Sequence, residues 1–528
     1  MAEDRDKKRP WRDALRAWLH PRIATMLLLG FSAGLPLLLI FSTLSVWLRE
    51  AGVSRSAVTF FSWAALGYSF KFTWAPIVDR MPLPLLTRRL GRRRSWLLLS
   101  QFSVTAAICW MALVDPGGST RGLTVMALAA VLLGFSSATQ DIVIDAFRIE
   151  CAGPTMQGML SAAYIAGYRM GMLTAGAGSL FLASYLGTTG GFYLYPAWRT
   201  TYLAAASCML PGILTTLCVS EPEPEGRPHI TPRAAADYLR FAVLFLAACG
   251  GFALTFFAGG ALWHPAWEHL AVAFPHAGRL LGFLAEAFRL GIAVLAAWFV
   301  ARLLVSAGLV ESRMVEETYI APARDFFKRY GMKTAVLILG LVGLYRISDI
   351  VLGVVSNVFY LDMGFSKNQI AAITKTFGLV MTIAGGFLGG MFTIRFGILR
   401  ILFAGAVLAS GTNLLFMVLA RLGPDIGWLT AVIAADNLAA GLASAGFVAF
   451  LSSLTSVSFT AVQYAVFSSL MSLFPKLLGG YSGTIVTSIG YPAFFLLTTA
   501  LGLPVLLLIL LIRKDMELSP NPGRPDHA

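Results

Sequence analysis

The sequence predicts an all-α polytopic membrane protein, and three observations carry that prediction. Hydrophobic residues fill 57% of the 528 positions and charged ones only 13%, where a soluble domain averages about 25% charged. Apolar runs of about eighteen residues or more recur along the whole length, each long enough to cross a hydrocarbon core of roughly 30 Å. The formal net charge of +14 is gathered in a few short loops. That is how a membrane protein encodes its orientation, so no nucleic-acid partner is expected and the lipid bilayer is.

Residues 1–22 form a charged, cytoplasmic N-terminal segment with one amphipathic stretch, RPWRDALRAWL, whose Trp11 and Trp18 suit a lipid–water interface. The first apolar run, Ile23 to Trp47, is longer than the apolar part of a signal peptide and is read as a span. Six spans near 23–48, 56–77, 95–114, 122–147, 156–186 and 198–218 make an N-terminal six-helix bundle over 23–220. The polar break EPEPEGRPHITPR opens an insertion, 221–330, with two extra helices near 238–262 and 280–308, expected beside the transport core. Six more spans, near 334–360, 368–393, 398–420, 427–454, 460–486 and 490–512, make a C-terminal bundle over 331–513. A cytoplasmic tail, 514–528, follows, and the total is about fourteen membrane helices.

Lys and Arg in short loops set the orientation. The 78–94 loop carries Arg80, Arg88, Arg89, Arg92, Arg93 and Arg94; the 312–333 segment and Arg513–Lys514 are basic too. Helix parity puts all of these on one side, which is expected to be cytoplasmic with both termini. The opposite loops are poorer, with Arg121, Arg199 and Arg421.

The chain also echoes itself. WLREAGVSRSAV follows the first span and FYLDMGFSKNQI follows the span near 334–360, aligned on Gly52 and Gly364. The echo falls where two six-helix halves predict it, and parallel halves of this kind are the major-facilitator arrangement. The expected architecture is therefore two six-helix bundles plus two extra helices between them. In LGFSAGLPLLL, Gly30 and Gly34 have the spacing for close helix approach, and Pro36 for a kink.

Ionisable residues inside spans usually face the bundle interior or a wet cavity. Those here are Lys71, Asp141, Asp145, Arg169, Arg346, Asp349, Lys375 and Asp436. Asp141 and Asp145 lie four apart on one helix face, where their repulsion favours holding a proton. Asp145 and Arg148 have a second reading, a latch with the arginines of the 78–94 loop. Arg169 either binds a substrate acid or is permanently paired with Asp141. Arg346 and Asp349 share a face and either neutralise each other or act separately. Lys375 and Asp436 form either a structural pair or a proton–substrate switch. Trp63, Tyr68, Tyr164, Tyr168 and Tyr345 are candidate cavity aromatics, though for each taken alone ordinary span packing is the stronger reading. The five cysteines lack metal-ligand or redox spacing. With no nucleophile elbow, phosphate loop or zinc pattern, no cofactor, metal or enzymatic activity is expected.

The stretches FKFTWAPIVDR, GRRRSWLL, SATQDIVIDAFR, GYRMGM, PARDFFKR, LYRISD, TKTFGL, DNLAAGLASAGFVAFL and AVQYAVFSSL, in this order and together with LGFSAGLPLLL, resemble the AmpG-type muropeptide permeases of the major facilitator superfamily. The resemblance covers about 23–220 and 322–490. It implies proton-driven import of anhydro-muropeptides (GlcNAc-anhydro-MurNAc peptides) across a Gram-negative inner membrane, by a monomer, for cell-wall recycling. The family is also associated with signalling that induces β-lactamase. The matching positions are Asp141, Asp145, Arg169, Asp349, Lys375, Asp436 and Gln463; Arg346 stands where relatives can have lysine, and the two extra helices lie between the halves rather than at the C-terminus. Arg169, Lys375, Gln140, Tyr168, Tyr345, Asn437, Gln463, Trp63 and Tyr68 are taken as substrate-binding candidates. Asp349, Asp436 and Asp141 are the proton sites, and Asp79, Arg80, Arg92, Arg93, Asp145 and Arg148 the inner gate. An acetyl-CoA-type or other organic-anion carrier is the rival reading, and a non-transporting membrane receptor a third.

Overall fold

The computed structural model describes residues 20–54, 58, 61, 66–118, 120–153, 156–188, 192–222, 234–273, 278–479 and 481–518. Their regular structure is helical, and twelve helices are long and apolar enough to cross a membrane. In the first half, α1 is Pro21–Ile40 continued by Ser42–Glu50, and α2 is Leu66–Phe70, a tight turn Lys71–Thr73, and Ala75–Arg80. Then come α3, Arg92–Ala112; α4, Thr120–Glu150; α5, Gln157–Leu173 running through a wide turn into Ser179–Tyr185; and α6, Tyr195–Ser207 with Leu210–Cys218. Two helices follow, α7 (Ala235–Ala273) and α8 (Gly278–Ser306). The second half has α9, Ala321–Leu344 with Ile347–Asp362; α10, the wide turn Ala371–Phe377 with Gly378–Phe396; and α11, Ile398–Leu422. It ends with α12, Ile426–Leu454; α13, Thr460–Gly479; and α14, Ser482–Ala500 with Leu503–Leu518. The expected spans that are not among the twelve are the second, described from Leu66 on, and the fifth, which carries Arg169. The break expected near 487–489 is not there: α13 ends at Gly479 and α14 already begins at Ser482.

Residues 228–324 form a compact unit of their own, and both six-helix halves belong to the other unit. In the smaller unit α7 and α8 pack on each other, and Arg289 lies 3.9 Å from the Phe256 ring centre.

Each half has its own core. One is built around Leu35, Trp47, Ile108, Met126 and Tyr202, the other around Phe359, Phe416, Phe447 and Phe495. Close packing of α1 on α5 holds the first half together. A Cβ at Gly30 or Gly34 would overlap the carbonyl of Tyr164 or Tyr168, and one at Gly167 or Gly171 would overlap the carbonyl of Leu27 or Phe31. The glycine spacing read in α1 is thus matched by a second glycine pair on α5, and the two backbones touch. One turn beyond Pro36, α1 leaves helical geometry at Phe41.

The internal echo is a repeated backbone turn. Gly52 and Gly364 both have positive φ, 80° and 93°, a conformation that glycine adopts without a Cβ penalty. Val53 N–H donates to Leu48 and Phe365 N–H to Tyr360, five residues back in each case, which closes α1 and α9 in the same way. A second repeat lies at Gly91 and Gly397, both with φ 85°, where the chain re-enters α3 and α11.

The halves meet where α5 packs on α10 and α12, and where α2 and α4 pack on α13. A Cβ at Gly158 would come within 2.9 Å of Thr393.

If backbone contact is what joins α1 to α5, Gly34→Ala should overpack it and cost about 1–3 kcal/mol. Gly353→Ala, with open space at its Cβ, should leave stability unchanged or slightly raised. Thermal unfolding of the detergent-solubilised protein distinguishes the two; equal melting temperatures would remove the close-packing account.

Candidate functional site

Charge is paired most densely at the end of the bundle that holds the 81–91 loop, here called the basic end. Arg93, at the start of α3, is fully buried. Its Nη2 donates to Asp79 Oδ1 on α2 at 2.7 Å, and its Nε to both Glu150 oxygens at the end of α4, at 3.2 and 3.1 Å. Arg92 reaches the same carboxylates at 3.7 and 3.6 Å. Glu221, in the loop after α6, accepts the N–H groups of Arg93 and Arg94 at 2.7 and 3.0 Å and so caps α3. Burial nevertheless holds its carboxyl above the usual range. The expected gate residues Asp79, Arg92 and Arg93 therefore meet, but their main acid partner is Glu150. Sequence reasoning passed over it, although it closes the IDAFRIE stretch on the far side of Arg148.

Arg148 has a different role. Its guanidinium is buried, and Nη1 donates to Gln157 Oε1 and Ser161 Oγ on α5, each at 3.1 Å, and to Ser452 Oγ on α12 at 2.7 Å. Nη2 donates to Asp145 at 3.3 Å, and the Tyr464 ring of α13 lies 5.1 Å away. Asp145 takes Lys71 of α2 as its second cation, at 3.8 Å. The latch expected between these residues and the arginines of the 78–94 loop is corrected: Asp145 and Arg148 pair with each other and with Lys71. Arg148 also ties the first half to the second. Arg80 adds a contact between the halves, 5.4 Å over the Phe459 ring.

Deeper in the first half, Asp141 Oδ1 accepts the Tyr164 hydroxyl at 3.2 Å. Tyr68 shares a 2.6 Å contact with the Ser137 hydroxyl, and Tyr164 and Tyr168 lie with ring centres 6.0 Å apart. The alternative pairing of Arg169 with Asp141 is corrected. Arg169 is exposed, and among the described residues its one hydrogen-bond contact is the Met172 sulfur at 4.0 Å and it makes no ion pair. The other charge acting on it is Arg346, from the second half.

Arg346 stands at the break between the two pieces of α9. It attracts Asp349, but among the described residues neither makes an ion pair. Asp436 Oδ1 accepts the Thr412 hydroxyl at 3.1 Å, and the charge of Asp349 acts on it. Lys375 is exposed and donates to Asn357 at 3.0 Å, so its expected pairing with Asp436 is also corrected.

Four expected cavity residues are engaged elsewhere. Gln140 is fully buried and donates to Ser32 at 3.0 Å. Tyr345 stacks on Phe447 and donates to the Leu402 carbonyl at 3.0 Å. Asn437 accepts the Thr382 hydroxyl at 2.8 Å and so holds α12 to α10. Gln463 lies in a clasp with Arg329 and Asp325, each at 3.0 Å. Trp63 lies outside the described residues.

A groove of 1370 Å³ opens beside the basic end, lined among others by Arg22, Leu28, Glu150, Cys151, Gln157 and Leu214.

Comparison with known proteins gives two kinds of likeness. A family model described as Acetyl-coenzyme A transporter 1 matches residues 22–186. A Rickettsia conorii protein named Putative transporter AmpG 4 is 30% identical, over 94% of this chain and 98% of its own length. An Escherichia coli K12 protein named Anhydromuropeptide permease is 28% identical, over 95% of this chain and 82% of its own. Among solved structures, the fucose:proton symporter FucP of Escherichia coli superposes with a TM-score of 0.59 at 10% identity, covering 93% of this chain and 98% of its own. The proton:xylose symporter XylE gives 0.57 at 12%, covering 94% and 96%. At such identities these two matches establish the major facilitator fold.

Glu150→Gln removes the bidentate partner of a buried arginine. We expect a loss of about 3 kcal/mol or more, read as a lower melting temperature in detergent. Arg313→Gln, which breaks the exposed pair with Glu317, should leave it unmoved.

Proposed function

This chain belongs to the AmpG family of major facilitator transporters, and from that premise we propose that it imports anhydro-muropeptides, the sugar–peptide products of cell-wall breakdown. It is a transporter and not an enzyme. The observation that carries the substrate is its likeness, over 95% of the chain, to a relative named Anhydromuropeptide permease. The basic end is the cytoplasmic face of a bacterial inner membrane, as the positive-inside rule requires.

Chemistry at the centre supports an acidic ligand. Peptide stems of muropeptides carry carboxylates. Arg169 from one half and Arg346 from the other face such a group, with Lys375 and Asn357 as a further cationic point in the second half. Two like charges across the cavity hold the halves apart there, and an arriving carboxylate turns that repulsion into two charge-assisted bonds that draw them together. Tyr68, Tyr164 and Tyr168 offer ring faces to the sugars. Asp349 and Asp436 carry the coupling proton of the second half. The charge of Asp349 acts on Asp436, and among the described residues no cation is bonded to either, so a proton on one of them relieves the repulsion.

The family model described as Acetyl-coenzyme A transporter 1 supports a second reading, acetyl-CoA as cargo, through the first half alone. Several phosphates would need more cavity cations than Arg169, Arg346 and Lys375 provide. Competition by acetyl-CoA against muropeptide uptake decides between the two.

The direct test is accumulation of labelled anhydro-muropeptide in proteoliposomes, with and without an imposed proton gradient; no accumulation under either condition would end this reading. At the level of residues, Arg169→Gln and Arg346→Gln should each weaken binding about ten- to a hundredfold, the worth of one charged hydrogen bond of roughly 1.5–3 kcal/mol. Both variants should also erase the preference of the unmutated protein for the native ligand over an amidated one. Equal affinity of the unmutated protein for the two ligands would count against carboxylate recognition. Asp349→Asn and Asp436→Asn should abolish gradient-driven accumulation yet preserve substrate exchange. Normal accumulation in both would move the coupling elsewhere.

A further inference from the structure

The charges on one face of α4 form a continuous chain from Asp141 to the tie between the halves. Asp141, Asp145 and Arg148 lie four and three residues apart, so they stack along that face. Asp141 is bonded by Tyr164 at 3.2 Å. Asp145 is held between Lys71 at 3.8 Å and Arg148 at 3.3 Å. Arg148 reaches the second half through Ser452 at 2.7 Å and the Tyr464 ring. Lys71 also acts on the charge of Asp141. The polar groups around this chain come from five elements: Tyr68 and Lys71 on α2, Ser137 on α4, Gln157, Ser161, Tyr164 and Tyr168 on α5, Ser452 on α12, and Tyr464 on α13.

Neither the spacing of residues nor the expected gate assigns a task to Lys71. Its ammonium is almost wholly buried, on the tight turn that interrupts α2. A buried ammonium is costly unless it is matched by acids, and on α4 Asp145 lies 3.8 Å from it with Asp141 one turn away on the same face. The full set is two cations and two carboxylates. Within it Arg148 is balanced, and the basic end is closed.

We propose that Lys71 is the coupling residue of the first half: it holds Asp145 in the Arg148 tie while facing Asp141, so a proton taken up by Asp141 loosens the tie and lets the basic end open. The proton converts one carboxylate to the neutral acid, and no bond between heavy atoms changes. Two buried cations then compete for the single carboxylate of Asp145. The excess charge is relieved when Arg148 leaves Ser452 and Tyr464 for water. Release of the proton restores the balance and the tie. This rests on the reading of the chain as a proton-driven carrier. Its test needs no substrate, so failure of the muropeptide assignment would leave it standing.

The measurement is cross-linking between the halves at the basic end. Arg80 and Phe459, which touch across it, are both changed to cysteine in the full-length protein with its five native cysteines replaced, and a short bismaleimide is applied in proteoliposomes. With Lys71 present, yield should fall by roughly fivefold or more from mildly alkaline to mildly acidic pH, the size expected when one charged contact weakens by about a kcal/mol. Asp141→Asn should give the low yield at every pH. Lys71→Gln should give a high yield with little pH dependence, because Arg148 then has Asp145 to itself. Lys71→Gln with Asp141→Asn again leaves one cation and one carboxylate, so it should restore the high yield that Asp141→Asn loses. Lys71→Arg should keep the pH dependence, which separates lost charge from lost folding. The proposal is overturned if Lys71→Gln retains the full pH response, or if the double variant cross-links no better than Asp141→Asn alone.

Discussion

The structure depends on what it does with Arg148. A guanidinium in a low-dielectric interior carries a desolvation penalty of several kcal/mol, which only close, well-directed acceptors offset. Here the acceptors are Gln157 and Ser161 on α5, Asp145 on its own helix and Ser452 on the opposite half. Satisfying one cation thus requires two six-helix bundles to be in contact. Any motion that parts them at the basic end must first rehydrate that cation, which makes closure there a discrete state rather than a soft one.

The distribution of the remaining charge follows the same rule with opposite outcomes at the two levels of the molecule. Near the basic end the cations are matched by protein: Arg93 by Asp79 and Glu150, and the first N–H groups of α3 by Glu221. These groups need no ligand, and they fix α2, α3 and α4 as one rigid corner. At mid-depth Arg169 has no acid partner among the described residues, and it feels Arg346 instead. Unmatched like charge there is tolerable because Arg169 is exposed, where water screens it. Matching within the protein ties the halves at the basic end; the unmatched charge at mid-depth is what the proposed anion site rests on.

Much of the fold was legible in the sequence, because its signals are lengths and spacings. Apolar run length placed the spans, and Gly30 with Gly34 marked a face that meets another backbone. Partners were far less legible. Spacing of three or four shows that Asp145 and Arg148 share a face, and they do bond. It says nothing of which helix faces them, so Arg169 was set against Asp141, and Lys375 against Asp436, on proximity along the fold alone. Glu150 escaped notice because an acid at a helix end beside basic loops looks solvated, whereas it is buried under Arg93. Gln463 was carried over as a position matching the family, but α13 begins at the basic end and the amide is used there by Arg329 and Asp325. Lys71 reads in the sequence only as one more charge inside a span, and only the geometry gives it Asp145 as partner.

The two halves repeat more than their backbone. Asp141 lies in the fourth helix of the first half and Asp436 in the fourth of the second, and each accepts one hydroxyl, from Tyr164 or Thr412. Lys71 and Lys375 both lie in the second helix of their half, each on a turn that departs from α geometry, one tight and one wide. Yet Lys71 is buried against Asp145, while Lys375 is exposed and bonded to an amide. The difference traces to one position: α4 carries a second acid, Asp145, one turn beyond Asp141, and α12 has Ala440 one turn beyond Asp436. A lysine with two acids opposite it is drawn into the protein and becomes part of the closure. Lys375, across from a helix that keeps only Asp436 and not bonded to it, stays exposed on an amide. A duplicated scaffold thereby acquires two dissimilar halves, one with its lysine tied into the protein and one with its lysine exposed, as the proposed gate and anion site require.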